Sequence, residues 1–229
     1  MTAVLVDRVE HVQQASVLII EDHLLLADGL AVALRREGLE VEIADPVAPD
    51  PIMELAWRLR PDVVLLDLVL GDEYGLSIPL IEPLRATGAQ VLMLTGATDP
   101  ALLGTCVEAG AVGLISKSEG FEVVLDKLSR AARHQTTLHA SERERVLSSL
   151  RAWRAEERAR LAPFERLTAR ERVVLGALMD GASAEAIAKS SFVSLATVRS
   201  QIRSILEKLS VHSQVAAVAL AHRLRWEPC

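Results

Sequence analysis

Four short apolar runs each end on a polar residue, and this repetition constrains the fold more than any other feature of the chain. Val17-Leu18-Ile19-Ile20 leads into Glu21-Asp22, Val63-Val64-Leu65-Leu66 into Asp67, Val91-Leu92-Met93-Leu94 into Thr95, and Gly113-Leu114-Ile115-Ser116 into Lys117. A short continuous apolar run bounded by turn residues marks a strand buried on both faces. Amphipathic stretches at 24–37, 52–60, 76–86, 101–109 and 119–132 separate these runs, and residues 41–44 add one more short strand. Five strands alternating with five helices predict an α/β domain built on a doubly wound, five-stranded parallel sheet.

In open parallel sheets, function collects at the carboxyl ends of the strands. With the strands ordered 2-1-3-4-5, the first, third and fourth apolar runs become neighbours. Glu21, Asp22, Asp67 and Thr95 then share one crevice, with Lys117 at its flank. Three carboxylates in one crevice repel, so they must share protons or hold a cation. A hard divalent ion is the simpler solution, and magnesium takes one or two carboxylates together with phosphate oxygens. In such a site Asp67 serves as a carboxylate nucleophile towards phosphorus, while Lys117 and the Thr95 hydroxyl contact phosphoryl oxygens. Taken singly, Asp67 reads equally well as a helix cap, Glu21-Asp22 as a turn, and Lys117 as a solvated charge. Four coincident strand ends are what separate explanations leave over.

The remaining features bound the class of protein. A length of 229 residues suits two ordinary domains. No run approaches the roughly 18 apolar residues of a membrane span. The N-terminal MTAVLVDRVEHVQQA lacks the basic start and long apolar core of a signal peptide, so a cytoplasmic location is expected. Cys106, inside an apolar helical pattern, and Cys229 offer neither a disulfide framework nor metal-ligand spacing. The net charge of −6 hides an asymmetry, because residues 1–134 hold 21 acidic and 10 basic side chains and the remainder 10 and 15. The acidic first half argues against nucleic acid there, and the mildly basic second half permits it.

The first domain is expected over residues 1–134, with its core from about residue 16, followed by a charged helical linker at 135–163 that Pro163 ends. Ser141-Glu142-Arg143-Glu144 reads as a capping box at the start of that linker helix, with Trp153 and Leu161 on its apolar stripe. A small all-α domain of four helices follows at 164–229. Its starts are marked by the capping box Thr168-Ala169-Arg170-Glu171 and by Ser183 and Ser194, and Gly181 provides a stop. The second and third helices have helix-turn-helix proportions. The third buries Val198, Ile202 and Ile205 and leaves Arg199, Ser200 and Arg203 on another face. Such a face suits a major groove, or is simply solvated with an Arg203–Glu207 pair.

Residues 16–133 resemble the receiver domain of bacterial response regulators, a flavodoxin-like fold. The match lies in VLIIEDH, VVLLDLVLGDEYG, VLMLTGATD and GLISK, in the family's order. This resemblance implies that Asp67 is the phosphoacceptor, Asp22 a direct Mg2+ ligand with Glu21 its partner, and Val69 a backbone-carbonyl ligand. It also makes Thr95 the switch hydroxyl and Lys117 the family's lysine, and it implies a sensor histidine kinase as partner. Residues 164–224 are similar to the LuxR-type helix-turn-helix of the NarL/FixJ class, through LTARE, the DGAS turn, Ile187-Ala188 and the Ser194, Thr197, Val198, Arg199 pattern. The implied partner is double-stranded DNA, contacted by Thr197, Arg199, Ser200 and Arg203. A homodimer would form through Val215, Val218 and Ala219.

The chain departs from the two families at a few positions. Leu114 stands where receivers commonly carry an aromatic, and Gly71 where proline is frequent. Glu185 and Ala186 replace a basic-acidic pair, Ser191 a leucine, and Gln201 a common histidine. The expected function is therefore a response-regulator transcription factor, with catalysis limited to self-phosphotransfer and autodephosphorylation. The alternative is a receiver-containing signalling adaptor whose helical domain binds protein. A hydrolase using Asp67 is disfavoured, because Val69 occupies the place of its usual second aspartate.

Overall fold

The computed structural model describes residues 15–45 and 48–228. The N-terminal stretch weighed against a signal peptide lies outside them except for its last residue, as does Cys229. Five strands, β1 (Ser16–Ile20), β2 (Glu40–Ala44), β3 (Val63–Asp67), β4 (Gln90–Thr95) and β5 (Gly113–Ser116), form one sheet in the order β2-β1-β3-β4-β5. Every adjacent pair is parallel, with Ile20 beside Leu66, Asp67 beside Leu94, and Thr95 beside Ser116. The doubly wound sheet expected from the apolar runs is thus present.

The strands alternate their side chains across the sheet, so each run feeds two cores. Leu18, Ile20, Val64, Leu66, Val91 and Met93 pack under α2 (Pro49–Leu59), α4 (Ile78–Ala86) and α5 (Pro100–Glu108). Val17, Ile19, Val63, Leu65, Leu92 and Leu94 pack under α1 (Leu24–Arg36) and α6 (Phe121–Ala132). Most of these side chains are completely buried, each contributing about 2 kcal/mol relative to exposure. This burial on both faces keeps the strand ends rigid enough to carry a site.

Element boundaries moved where turn chemistry competed with periodicity. Helix α2 begins at Pro49 rather than at 52, because proline suits the first helical turn. The helix expected at 76–86 is α4, which begins at Ile78, and a short α3 (Gly71–Tyr74) that was not expected precedes it, with an isolated antiparallel bridge between Val69 and Leu76. Gly71 has φ of +64°. Proline, fixed near about −65°, would not fit there, which gives the family departure at this position a local cause.

The chain divides into two compact units after Arg151. The stretch expected as a linker is mostly one helix, α7 (Ala140–Glu165), which contributes to both units. Its first half belongs to the first unit, where Val146 and Leu150 are buried. A Cβ at Gly104 of α5 would lie 2.4 Å from the Val146 carbonyl oxygen, so only glycine allows this approach. Two local expectations fail here. The helix starts one residue before Ser141, with Arg143 N–H donating to the His139 carbonyl, so Ser141 is not its cap. Pro163 lies inside the helix, which continues to Glu165.

The second unit holds α8 (Ala169–Met179), α9 (Ala184–Ser190), α10 (Leu195–Lys208) and α11 (Gln214–Arg223). Its core joins Phe164, Leu175, Ile187, Val198, Ile202, Ile205 and Ala221. The cap signals act as read: Thr168 and Glu171 form a reciprocal capping box, and Ser183 and Ser194 accept from Ala186 and Thr197 N–H. Gly181, at φ of +82°, ends α8 with hydrogen bonds from Gly181 and Ala182 back to Leu178 and Ala177.

Candidate functional site

Strand order brings the distant carboxylates together. Glu21 and Asp22 follow β1, Asp67 is the last residue of β3, Thr95 the last of β4, and Lys117 comes directly after β5. A cavity of about 520 Å3 at these ends is lined by Asp22, His23, Asp67, Val69, Gly71, Thr95, Gly96, Ala97 and Lys117. Glu21 is buried and in contact with Lys117. Possible ligand atoms of Glu21, Asp22, His23 and Asp67 all lie within 4.8 Å of one another.

The Lys117 ammonium holds the acidic group together. Its Nζ donates to Asp67 Oδ2 at 2.9 Å and to Glu21 Oε1 at 3.0 Å. His23 adds a second contact, with its backbone N–H donating to Glu21 Oε1 and its ring Nδ1 at 2.7 Å from the same oxygen. Burial pushes the Asp67 carboxyl up to about 6, and the Glu21 charge adds to the rise while Lys117 opposes it. For Lys117 burial works the other way, but the hydrogen bonds to Glu21 and Asp67 hold the ammonium above its ordinary range. Burial also opposes ionisation of Asp22, yet Glu21 and His23 keep its carboxyl below the usual range.

This balance leaves negative charge to be compensated. Glu21 Oε2 and Asp22 Oδ1 are buried without a hydrogen bond, although Lys117 Nζ lies 2.8 Å from the first and His23 Nδ1 2.9 Å from the second. Close charges without donor geometry leave lone pairs directed elsewhere, which suits a hard divalent cation. The donor set therefore fits such an ion.

Other contacts set the walls of the cavity. Thr95 Oγ1 accepts from Ala97 N–H at 2.9 Å, a bond that does not use the hydroxyl proton. The Val69 backbone hydrogen-bonds the Asp67 carboxylate, and Ser77 Oγ donates to the Asp67 backbone carbonyl. Leu114 is buried in the same core as Met93 and Cys106. Sequence reasoning overlooked His23 and Ser77. His23 carried a usable signal, since it directly follows the acidic pair at a strand end, whereas Ser77 carried none.

In the helical unit, Thr197, Arg199, Ser200 and Arg203 are exposed along α10, opposite buried Val198, Ile202 and Ile205. Arg199 lies 3.7 Å from Glu185 of α9, a contact not anticipated from the sequence. Phe192, in the turn before α10, is 96% exposed at φ of +54° and was also overlooked. Val215, Val218 and Ala219 line a concavity of about 340 Å3 with Leu178, Gly181 and Ala182. Elsewhere in this unit, buried Glu171 accepts from Ser204 Oγ and Lys208 Nζ, both at 2.6 Å, and from Thr168 N–H at 2.7 Å. Burial raises its carboxyl, but these donors outweigh it and hold the group at about 2.

A parallel sheet with this acidic crevice and a separate helix-turn-helix unit define a two-domain signalling regulator. Residues 17–129 match the response regulator receiver domain, and residues 165–221 match the LuxR family of bacterial regulatory proteins. The chain belongs to the response regulators that pair a receiver with a LuxR-type DNA-binding domain. It is 32% identical to the nitrate/nitrite response regulator protein homolog of Haemophilus influenzae, over 89% of this chain and 94% of that protein. Against the nitrate/nitrite response regulator NarP of Escherichia coli the identity is 33%, over 89% and 93%. The structure of the response regulator RcsB in complex with DNA shares the fold at a TM-score of 0.50 and 22% identity, covering 91% of this chain and 98% of that one. Among the described residues no helix is long and apolar enough to cross a membrane.

Proposed function

We propose that Asp67 accepts a phosphoryl group from a sensor histidine kinase in the cytoplasm, and that this modification controls dimerisation and DNA binding by the helical unit. The observation that carries the reading is the buried Asp67 carboxylate, paired to Lys117 at 2.9 Å beside two buried carboxylate oxygens that lack hydrogen bonds. Magnesium held by Asp22, Asp67 and the Val69 carbonyl, with Glu21 beside it, would neutralise the carboxylates and the phosphate charge.

The chain's own residues perform the remaining steps. An Asp67 carboxylate oxygen bonds to phosphorus as the phosphorus–nitrogen bond of the kinase's phosphohistidine breaks. The imidazole nitrogen keeps the electron pair and gains a proton from solvent. Lys117 exchanges its contacts to Asp67 and Glu21 for a phosphoryl oxygen, and the Thr95 hydroxyl donates to another. The phosphoryl group carries roughly −1.5 to −2 of charge in place of the carboxylate's own, which favours whichever receiver state brings Thr95 and Lys117 closest.

Thr197, Arg199, Ser200 and Arg203 are the proposed DNA contacts, and a second copy would dock at Val215, Val218 and Ala219. One observation favours the adaptor reading: Glu185 lies against Arg199 and competes with phosphate for it. Labelling by a small acyl phosphate with magnesium tests the receiver, with wild type labelled and Asp67→Asn not; equal labelling of both would sink the assignment. Genome-wide footprinting with and without the phosphodonor tests the output. Footprints that weaken steeply with salt support DNA binding, and their absence favours the adaptor.

A further inference from the structure

Lys117 sits on a tight turn after β5. Its backbone N–H donates to the Thr95 carbonyl, and Glu119 N–H closes the turn onto the Ser116 carbonyl. The strand that carries this turn is the edge of the sheet, so β4 supports it on one side only. Support on the other side comes from Lys127 of α6. Its Nζ donates to the Leu114 carbonyl at 2.7 Å and to Glu119 Oε2 and Oε1 at 2.8 and 3.0 Å. Leu114 lies three residues before Lys117 and Glu119 two residues after it, so one ammonium grips the chain on both sides of the proposed phosphate-binding lysine.

The grip is partly shielded from water. The Lys127 and Glu119 side chains are 17% and 31% exposed, which strengthens the pair relative to a surface contact. All three ammonium donors are used, and the Lys127 stem fixes the turn to a helix whose Val124, Leu128 and Ala131 are buried in the core.

We propose that Lys127, with Glu119, is a positioning residue for phosphotransfer, holding the Lys117 turn so that its ammonium can move from Asp67 and Glu21 to a phosphoryl oxygen. The proposal rests on the phosphotransfer reading above. Lys127 touches neither donor nor acceptor. A misplacement of about 1 Å can cost up to about a hundredfold in rate, so loosening an edge-strand turn should be read directly in the kinetics.

The test measures labelling of the full chain by a small acyl phosphate with magnesium, together with thermal unfolding. Lys127→Met keeps most of the stem and removes the charge, and is expected to slow labelling about tenfold. Lys127→Arg, which retains the charge, should stay nearer wild type. In a Lys117→Ala background, Lys127→Met should add little, because a residue acting through Lys117 has nothing left to position. An equal loss in both backgrounds would overturn the proposal in favour of general destabilisation. If Lys127→Met fails to fold, Glu119→Gln decides: slower labelling at an unchanged unfolding temperature supports the clamp, and a wild-type rate rejects it. Wild type that labels no better than Asp67→Asn would overturn the phosphotransfer reading and this proposal together. Normal wild-type labelling with unimpaired Lys127→Met overturns the proposal alone.

Discussion

In the receiver crevice, Lys117 reaches Glu21 and Asp67 across sequence separations of 96 and 50 residues. In the helical unit, Thr197, Arg199, Ser200 and Arg203 share one 14-residue helix. The first arrangement is buried and mutually dependent: Lys117 bridges two carboxylates, and the ionisation of Asp67 and of Lys117 depends on their neighbours. The second is exposed, and each side chain acts nearly alone. Substitutions in the crevice should therefore be large and non-additive, and those on α10 smaller and close to additive.

The largest expected effect is in the crevice. Asp67→Asn abolishes phosphoryl labelling, and a Lys117→Met change added to it has no further consequence; residual labelling of the double variant would break the contrast. Next comes Glu171, a buried acid that joins α8 to α10. Glu171→Gln weakens bonds from Lys208, Ser204 and Thr168, and should destabilise the helical unit by about 2 kcal/mol. Amide hydrogen exchange in α8 and α10 checks this as a loss of protection of about thirtyfold. The same carboxyl predicts a pH dependence. Its folded value of about 2 lies below its ordinary 4.5, so its stabilisation is complete above about 4.5 and disappears as pH falls towards about 2. In Glu171→Gln that acid-induced part should be missing.

Smaller effects belong to the exposed face. Arg203→Ala should weaken DNA binding about tenfold, and a lower slope of affinity against salt identifies a phosphate contact rather than a base contact. Smallest is Glu185→Gln, which frees Arg199 and should tighten binding about threefold, measured by titration at fixed salt. Unchanged affinity would mean that the 3.7 Å contact does not compete with DNA.

Much of this was legible along the chain. The apolar runs located four of the five strands because parallel strands buried on both faces have no polar alternation to blur them, whereas β2 alternates through exposed Glu40 and Glu42. The caps at Thr168, Ser183 and Ser194 were legible because a cap is local, decided by residues two or three positions apart. Local reading failed at Ser141 and Pro163, because α7 starts at Ala140 and runs on to Glu165, with Phe164 buried in the core of the second unit. Neither the approach of Val146 to Gly104 nor the reach of Lys127 to Leu114 leaves any periodic trace, since each joins segments with unrelated patterns.

The sequence alone determined which residue types stand at the strand ends and which face of α10 carries arginine, because the first follows from continuous apolar runs that must be buried on both faces and the second from the 3.6-residue period of a helix. Only the tertiary structure decided how charge is balanced within the crevice: Lys117 bridging Asp67 and Glu21, His23 added to the acidic group, and two carboxylate oxygens left without donors. The reason is physical. Hydrogen bonding and desolvation depend on distances of a few ångströms between segments far apart in the chain, and the sequence does not contain those distances until the sheet has closed around them.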